Sequence, residues 1–154
     1  MNVALTGSNG FIGSQLKSHL ENIKEINLIL LHRKKNNKIS ADHNLNYEDF
    51  FDCKLNKKID IFIHLASPNF DNEKDKILEK GIVDLTKRIL NTLPSYNCSN
   101  FIYFSTCKVY GESSLNKKIY DENVEPSPES DYSKAKLKAE DIIKDFSNSH
   151  KINF

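Results

Sequence analysis

Thr6-Gly7-Ser8-Asn9-Gly10-Phe11-Ile12-Gly13 is the stretch that decides the fold, because its three glycines recur at three-residue intervals between two apolar segments. Residues 3–6 before it are apolar and β-prone, and helical spacing follows at Phe11, Ile12, Leu16 and Leu20. The pattern predicts a strand, a tight turn and a helix. Glycines let a phosphate approach the backbone of such a turn, and the helix N-terminus offers unpaired N–H groups. We interpret the turn as a cradle for a pyrophosphate; the alternative is an ordinary glycine turn.

Three further apolar runs and two amphipathic segments follow this unit. Residues 26–31, 59–65 and 101–105 are short and continuous, as strands covered on both faces are. Residues 77–93 have an amphipathic helical pattern that ends at Pro94, and residues 136–146 repeat the helical spacing. Strands that alternate with helices predict one domain over residues 1–154: an α/β, Rossmann-type, doubly wound and mostly parallel sheet with helices on both faces.

Composition excludes several classes of partner. Lys plus Arg number 22 against 21 Asp plus Glu, so no net charge attracts nucleic acid or an anionic membrane. No apolar run of 18 residues is present, and the N-terminal run meets Gly7 too early for a signal peptide. Cys53, Cys98 and Cys107 lack the spacing of zinc ligands or of a disulfide framework. We therefore expect no metal site and a cytoplasmic location.

The end of the second predicted strand concerns the choice of cofactor. A domain that binds NAD usually has Asp or Glu about twenty residues beyond the glycines, whereas Arg suits the 2′-phosphate of NADP. This sequence reads His32-Arg33-Lys34-Lys35, without a carboxylate. Arg33 offers a phosphate a planar fork of donors, so the predicted cofactor is NADP or NAD, with NADP slightly favoured. The alternative is that residues 33–38 form only a solvated loop.

Tyr132-Ser133-Lys134-Ala135-Lys136 places a phenol and an ammonium group four residues apart, which on a helix means the same face. Hydride transfer at a carbinol carbon requires a proton to move at its oxygen, and a phenol with a reference pKa of about 10 is a poor base near neutral pH. A nearby cation stabilises the phenolate, which indicates a role for Lys136 beside Tyr132. The pair alone is not specific, because Tyr and Lys also occur at this spacing on solvated faces.

Together these motifs resemble the extended short-chain dehydrogenase/reductase superfamily, and within it the NAD-dependent epimerase/dehydratase family, whose members act mainly on nucleotide sugars. Ser105-Thr106-Cys107-Lys108-Val109-Tyr110-Gly111 resembles the family's S-[ST]-x-x-V-Y-G strand end, and His64-Leu65-Ala66-Ser67 resembles its H-L-A-[AS] segment. The likeness runs from Asn2 to about Phe146, with the segments in the family's order.

The resemblance implies roles for individual residues. Thr106 would hydrogen-bond the reacting oxygen beside Tyr132, and Lys136 would complete the catalytic set. Ser105 would lie against the nicotinamide. The whole cofactor-binding set that the motifs and the resemblance imply is Gly7, Gly10, Phe11, Ile12, Gly13, Arg33, Leu65, Ala66, Ser67 and Ser105. For Ser105 and Thr106 the alternative is a strand-to-loop cap. His64 is expected to be structural.

The resemblance also suggests which reaction to expect. Dehydratases of the family carry Asp-Glu where this sequence has Cys107-Lys108, so we expect an NAD(P)-dependent nucleotide-sugar epimerase or ketoreductase. Its partners would be the dinucleotide and a nucleotide sugar, and self-association stays open. The family's substrate-binding segment follows the next strand, and the sequence stops at Phe154, where that strand would begin. We therefore expect an N-terminal portion without the sugar site; the alternative is a non-catalytic dinucleotide-binding module or remnant.

Overall fold

The computed structural model describes residues 1–33, 44–68, 75–111, 120–121 and 123–154. In these ranges five strands form one sheet: β1 Asn2–Thr6, β2 Asn27–His32, β3 Asn44–Asn46, β4 Ile61–His64 and β5 Asn100–Tyr103. Their order is β3-β2-β1-β4-β5, and each neighbouring pair is parallel. The predicted doubly wound α/β sheet is thereby confirmed. The basic residues 34–38 lie outside the described ranges.

Helices cover both faces of the sheet. The helices are α1 Phe11–Glu21, α2 Tyr47–Phe51, α3 Asp75–Leu78, α4 Leu85–Thr92 and α5 Asp131–His150, with a π-helical stretch Glu79–Asp84 between α3 and α4. On one face α1 packs through Leu16 and Leu20 against β1 and β2. On the other face α2, α4 and α5 bury Phe50, Ile89 and Ile143 against the sheet. The alternation of side chains along each strand supplies both cores.

The helix predicted over residues 77–93 differs from its prediction at the C-terminal end. Pro94 was expected to end it, but the helical path continues through a 3₁₀ turn, Leu93–Tyr96, that contains Pro94 in its first turn. Proline is compatible with that position because the first N–H groups of a helical turn have no acceptor within the turn. Asn97, in the left-handed region at φ 48°, ends the path three residues later than the proline.

The short elements β3 and α2 were not predicted. Asn46 ends β3 and caps α2, because its side chain accepts a hydrogen bond from the Asp49 N–H at 2.7 Å. Phe50 of α2 is fully buried and stacks on Tyr96 with ring centroids 5.0 Å apart. The edge of the sheet is thus anchored in the core by Phe50 and Leu45, with Tyr47 and Phe51 packed against the same core.

The order of the strands places the crevice in which ligands of such sheets bind. The chain passes from β1 outward to β2 and β3 and then returns to β4 on the opposite side of β1. The crevice at this reversal opens beyond the carboxyl ends of β1 and β4. At the outer edge of the sheet, the Phe101 N–H donates to the Asn153 carbonyl at 2.8 Å, and Asn153 forms a parallel bridge with Asn100. Among the described helices, none has the length and apolar character needed to cross a lipid bilayer.

Candidate active site

The glycine turn joins β1 to α1 at this crevice, and its three glycines have different constraints. Gly7 has φ +73°, and a Cβ there would lie 2.7 Å from the Ala66 nitrogen. A Cβ on Gly13 would overlap the Gly7 carbonyl oxygen. At Gly10 a Cβ would lie 3.3 Å from that oxygen, so this position tolerates a side chain with a small adjustment. Gly7 and Gly13 are therefore required by the turn itself, whereas Gly10 leaves open space at the helix N-terminus.

The surroundings of the turn fit a ligand that carries phosphate. Gly10 is the N-cap of α1 and supplies no side-chain cap, so the first N–H groups of the helix point outward without a partner from the cap. Ser8 is only 2% exposed, and its hydroxyl has no hydrogen-bond partner among the described residues. Beside it Phe11 is 90% exposed and Ile12 is 54% exposed. An unpartnered hydroxyl and an uncovered apolar rim are features that a bound ligand would satisfy.

A buried hydrogen-bond network ties the end of β4 to this turn. The Thr6 hydroxyl oxygen accepts from the N–H groups of Leu65 and Ala66, each at 3.1 Å, so its own proton is donated to His64 Nδ1 at 2.7 Å. The Nε2 atom of His64 then donates to the Thr86 hydroxyl at 3.2 Å. Burial, with a smaller contribution from the charge of Lys136, lowers the pKa of His64 to about 3. The ring is neutral and structural.

The predicted segment Leu65, Ala66 and Ser67 therefore lies beside the glycine turn. Leu65 packs against the α1 side of the sheet, and the Ala66 backbone meets Gly7. Because Thr6 already accepts the N–H groups of Leu65 and Ala66, these groups are not the ones that would contact a ligand. Ser67 is exposed, and its hydroxyl donates to the neighbouring Pro68 carbonyl at 3.3 Å.

Arg33 lies at the end of β2 and lines an open cavity of about 400 Å³. The other residues that line it are Asn46, Tyr47, Glu48, Asp49, Phe51, Leu85 and Arg88. Glu48 and Asp49 come from α2, so the fold brings two carboxylates into a region whose local sequence has none. The Arg88 Nη2 atom lies 3.5 Å from Glu48 Oε2, and the Arg88 Cζ atom lies 3.9 Å from the centroid of the Phe51 ring. Among the described residues, two cations and two anions therefore line this cavity.

The predicted catalytic pair lies on α5. Ser130 caps this helix by accepting the Ser133 N–H at 3.3 Å, so Tyr132 and Lys136 are one turn apart within it. Lys136 is 2% exposed, and its Nζ donates to the Phe104 carbonyl oxygen at 2.7 Å. Burial lowers the pKa of Lys136 to about 8, against the opposing effect of the Glu140 carboxylate. The face of α5 that carries Lys136 thus packs against the carboxyl end of β5.

Ser105 and Thr106 follow β5 directly and meet this helix. The Ser105 hydroxyl donates to the Glu140 carboxylate. The Thr106 hydroxyl oxygen accepts the Lys108 N–H at 3.3 Å and caps the 3₁₀ turn Cys107–Tyr110. The cap that the sequence offered as an alternative is therefore present at Thr106. It uses the oxygen only as an acceptor, so the hydroxyl proton stays available to another group.

Sequence reasoning missed two residues of this site, Glu140 and Tyr103. Glu140 lies four residues after Lys136 on the same helix, so its spacing could have identified it. Tyr103 lies on the same sheet face as the buried Phe101, and the Lys136 Nζ is 4.5 Å from the centroid of its ring. Strand alternation predicts the face, but only the packing of α5 on β5 brings the ring to the lysine.

Comparisons with known proteins show which family the chain resembles. A model of the NAD-dependent epimerase/dehydratase family matches residues 3–154. A dTDP-D-glucose 4,6-dehydratase of Dictyostelium discoideum is 31% identical over 179 residues, which cover 97% of this chain and 41% of the relative. The UDP-arabinose 4-epimerase 1 of Arabidopsis thaliana is 32% identical over 112 residues, which cover 67% of this chain and 26% of the relative.

Solved structures share the fold. A UDP-glucuronic acid 4-epimerase of Bacillus cereus in complex with NAD superposes with a TM-score of 0.82 at 23% identity, over 99% of this chain and 54% of that one. A UDP-glucose 4-epimerase of Thermotoga maritima with UDP-glucose gives a TM-score of 0.80 at 23% identity, over 99% and 53%. This chain thus spans about half the length of these structures and less than half of the two curated relatives. Since the family model covers nearly all of its residues, the chain belongs to the NAD-dependent epimerase/dehydratase family.

Proposed function

We propose that this chain is the nucleotide-binding part of an NAD(P)-dependent nucleotide-sugar epimerase or ketoreductase. The observation that carries the proposal is the meeting of α5 with the end of β5. There Lys136 Nζ lies 2.7 Å from the carbonyl oxygen of Phe104, two residues before Thr106, and Tyr132 lies one helical turn from Lys136. The support from relatives is that the Bacillus cereus epimerase holds NAD and the Thermotoga maritima epimerase holds UDP-glucose.

The residues at the crevice fit a dinucleotide. The N-terminus of α1 at Gly10, Phe11 and Ile12 would hold the pyrophosphate, and the unpartnered hydroxyl of Ser8 would gain an acceptor. The cavity at Arg33 would take the adenosine end. When bound, the nicotinamide would accept a hydride from a sugar carbinol carbon and return it.

Proton movement at the carbinol oxygen is assigned to three side chains. Tyr132 takes up or returns the proton, because its phenol is the group that a neighbouring cation can convert to a base. Lys136 supplies the cation: with a pKa of about 8 it remains mostly protonated at neutral pH. Thr106 donates a hydrogen bond from its hydroxyl group to the same oxygen, since in its cap bond to the Lys108 N–H the hydroxyl acts only as an acceptor. Ser105, which is bonded to Glu140, would border the nicotinamide side.

The choice between NAD and NADP depends on the charges of the Arg33 cavity. Arg33 favours a 2′-phosphate, as the sequence predicts, and is exposed at the end of β2. Glu48 and Asp49 line the same cavity and would repel that phosphate. Arg33 and these two carboxylates thus act on a 2′-phosphate in opposite directions. The slight preference for NADP is the prediction from Arg33 alone, and direct competition between the two dinucleotides tests it.

The test of the proposed function separates cofactor binding from turnover. Purified chain is titrated with NAD and NADP by calorimetry, and binding is expected. Turnover of UDP-, GDP- and dTDP-sugars is then assayed with the chain alone and with the remaining part of a relative added in trans. We expect turnover only with the added part, because the sugar must be held within tenths of an ångström of the cofactor. Tyr132→Phe should abolish it.

The outcomes distinguish the alternatives. Absence of dinucleotide binding contradicts the proposal altogether. Binding without turnover in every combination favours the non-catalytic module. Turnover by the isolated chain that is lost in Tyr132→Phe would show that these 154 residues also hold the sugar.

A further inference from the structure

Tyr103, the last residue of β5, contacts the buried lysine of the site. Its side chain packs against the buried cluster that contains Ala135 and Ala139 of α5. Lys136 Nζ lies 4.5 Å from the centroid of its ring and donates to the backbone carbonyl of the next residue, Phe104. The ammonium group is therefore held between a carbonyl oxygen and an aromatic face.

Lys136 needs such contacts because few other groups offset the free-energy cost of removing its ammonium charge from water. Among the described residues the structure shows one hydrogen bond from its ammonium group, although the group has three donors. The ionisable groups that act on it are Glu140 from α5, His64 from β4 and Tyr103 itself. Tyr132 lies one turn before it on α5. His64 is neutral, and the Glu140 carboxylate is already bonded by the Ser105 hydroxyl. At 2% exposure, water contributes almost nothing to solvating the charge.

The ring of Tyr103, rather than its hydroxyl, is the part that acts on the lysine. The hydroxyl is buried and has no hydrogen-bond partner among the described residues. Burial, together with Tyr132 and Glu140, raises the pKa of Tyr103, so the phenol stays neutral. A neutral aromatic ring presents a negative face, and an ammonium group within about 6 Å of its centroid is attracted to it.

We propose that Tyr103 is a positioning residue whose ring face holds Lys136 charged and in place on the side of α5 that carries Tyr132. The consequence for proton transfer rests on the proposed function, whereas the contact itself does not. The ring would compensate part of the burial of a cation that Tyr132 requires.

The direct test is the titration of Lys136 in the folded chain, followed by NMR of lysine labelled at Cε, with Lys136→Met to assign its signal. The wild-type lysine should titrate near pH 8. Tyr103→Phe keeps the ring and should leave this value unchanged. Tyr103→Leu removes the ring and should lower the pKa by roughly 0.4–1.5 units. If Tyr103 only filled space, the smaller leucine would admit water and the pKa would rise. An unchanged or raised value overturns the proposal.

A series of ring analogues keeps the test decisive if Tyr103→Leu fails to fold, and one control variant accompanies it. Phenylalanine analogues with increasing fluorination, placed at position 103, keep the shape of the ring and weaken its negative face step by step. The pKa of Lys136 should fall along this series, and a constant value overturns the proposal. Tyr96→Leu is the matched control, since Tyr96 is buried on the same face of the sheet but stacks on Phe50. It should leave the titration of Lys136 unchanged.

Dinucleotide titration of the same proteins separates the two proposals. If wild type binds neither NAD nor NADP while the Lys136 pKa follows the series, the proposed function fails and the role of Tyr103 stands. If wild type binds a dinucleotide and the pKa of Lys136 is constant across the fluorinated analogues at position 103, the role of Tyr103 fails and the proposed function stands.

Discussion

Acidification should destabilise this fold through one buried residue, His64. The imidazole is 1% exposed, and its hydrogen bonds require the neutral form, in which Nδ1 accepts from Thr6 and Nε2 donates to Thr86. Protonation would place an N–H group against the Thr6 oxygen, which already accepts two backbone N–H groups. The folded state would then lose a hydrogen bond and contain an unpaired buried charge, so we expect it to resist protonation.

The size of the effect follows from the two pKa values. Burial first, and then the charge of Lys136, lower the pKa of His64 to about 3 in the folded chain, whereas the unfolded value is about 6.5. Between these values the unfolded chain binds a proton that the folded chain does not, so the free energy of unfolding falls as the pH falls through this window. One unit corresponds to about 1.4 kcal/mol. From pH 7 to pH 5 the loss due to His64 is about 2 kcal/mol.

Urea unfolding followed by circular dichroism at pH 7 and pH 5 measures this loss. His64→Asn keeps an acceptor for Thr6 but cannot titrate. It should be less stable than wild type at pH 7, yet it should lose about 2 kcal/mol less between the two pH values. His19→Gln, at an exposed position on α1, is the control and should retain the wild-type pH dependence. Equal losses in all three proteins would refute the assignment of His64 as a neutral buried ring.

Three further predictions concern the glycine turn, the Arg33 cavity and the buried lysine. Gly10→Val should abolish dinucleotide binding and leave the fold intact, because its side chain would occupy the space of the pyrophosphate, whereas Gly13→Ala should disrupt the turn. Equal NADPH affinities of wild type and Gly10→Val in a fluorescence titration contradict this. Arg33→Ala should erase a preference for NADP at a cost of about 1.5 kcal/mol, and a wild-type preference for NAD in competition binding contradicts it. Lys136→Met should raise the free energy of unfolding at pH 7 by up to about 3 kcal/mol, because the charged lysine is buried at a cost. Between pH 8 and pH 10.5 the lysine is protonated in the unfolded chain but not in the folded one, so the gain should disappear as the pH rises through this window. If urea unfolding shows no gain at pH 7, the prediction is contradicted.

The elements that could be predicted have strong local signals. The runs at residues 3–6, 26–31, 59–65 and 101–105 are continuous and apolar, and each overlaps a strand of the sheet. Strands β1, β2 and β4 are covered on both faces, as such runs predict, whereas Ile102 of β5 is 44% exposed. The glycine turn could be located for the same reason, since glycine is the residue that permits its backbone. Helix α5 begins at Asp131, five residues before the hydrophobic period at residue 136, because the polar residues of its first turn add nothing to that period.

The elements that were missed have weak local signals. Strand β3 has only three residues, two of them Asn, and α2 has five, so neither shows a usable hydrophobic period. They form because β2 offers an edge to pair with and because Phe50 can be buried against Phe62 and Tyr96. Glu48 and Asp49 reach the Arg33 cavity only through these elements.

The sequence by itself therefore determined the class of fold, the position of the glycine turn and the helical spacing of Tyr132 and Lys136, because each depends on residues close together in the chain. Tertiary structure alone decided what surrounds them. The neutral state of His64 requires Thr6 from β1 and Thr86 from α4, and the contact of Lys136 with Tyr103 joins residues on different elements. Such contacts depend on the order of the strands and on which helix face meets which strand. Local patterns do not encode that choice, because it depends on how the whole core packs.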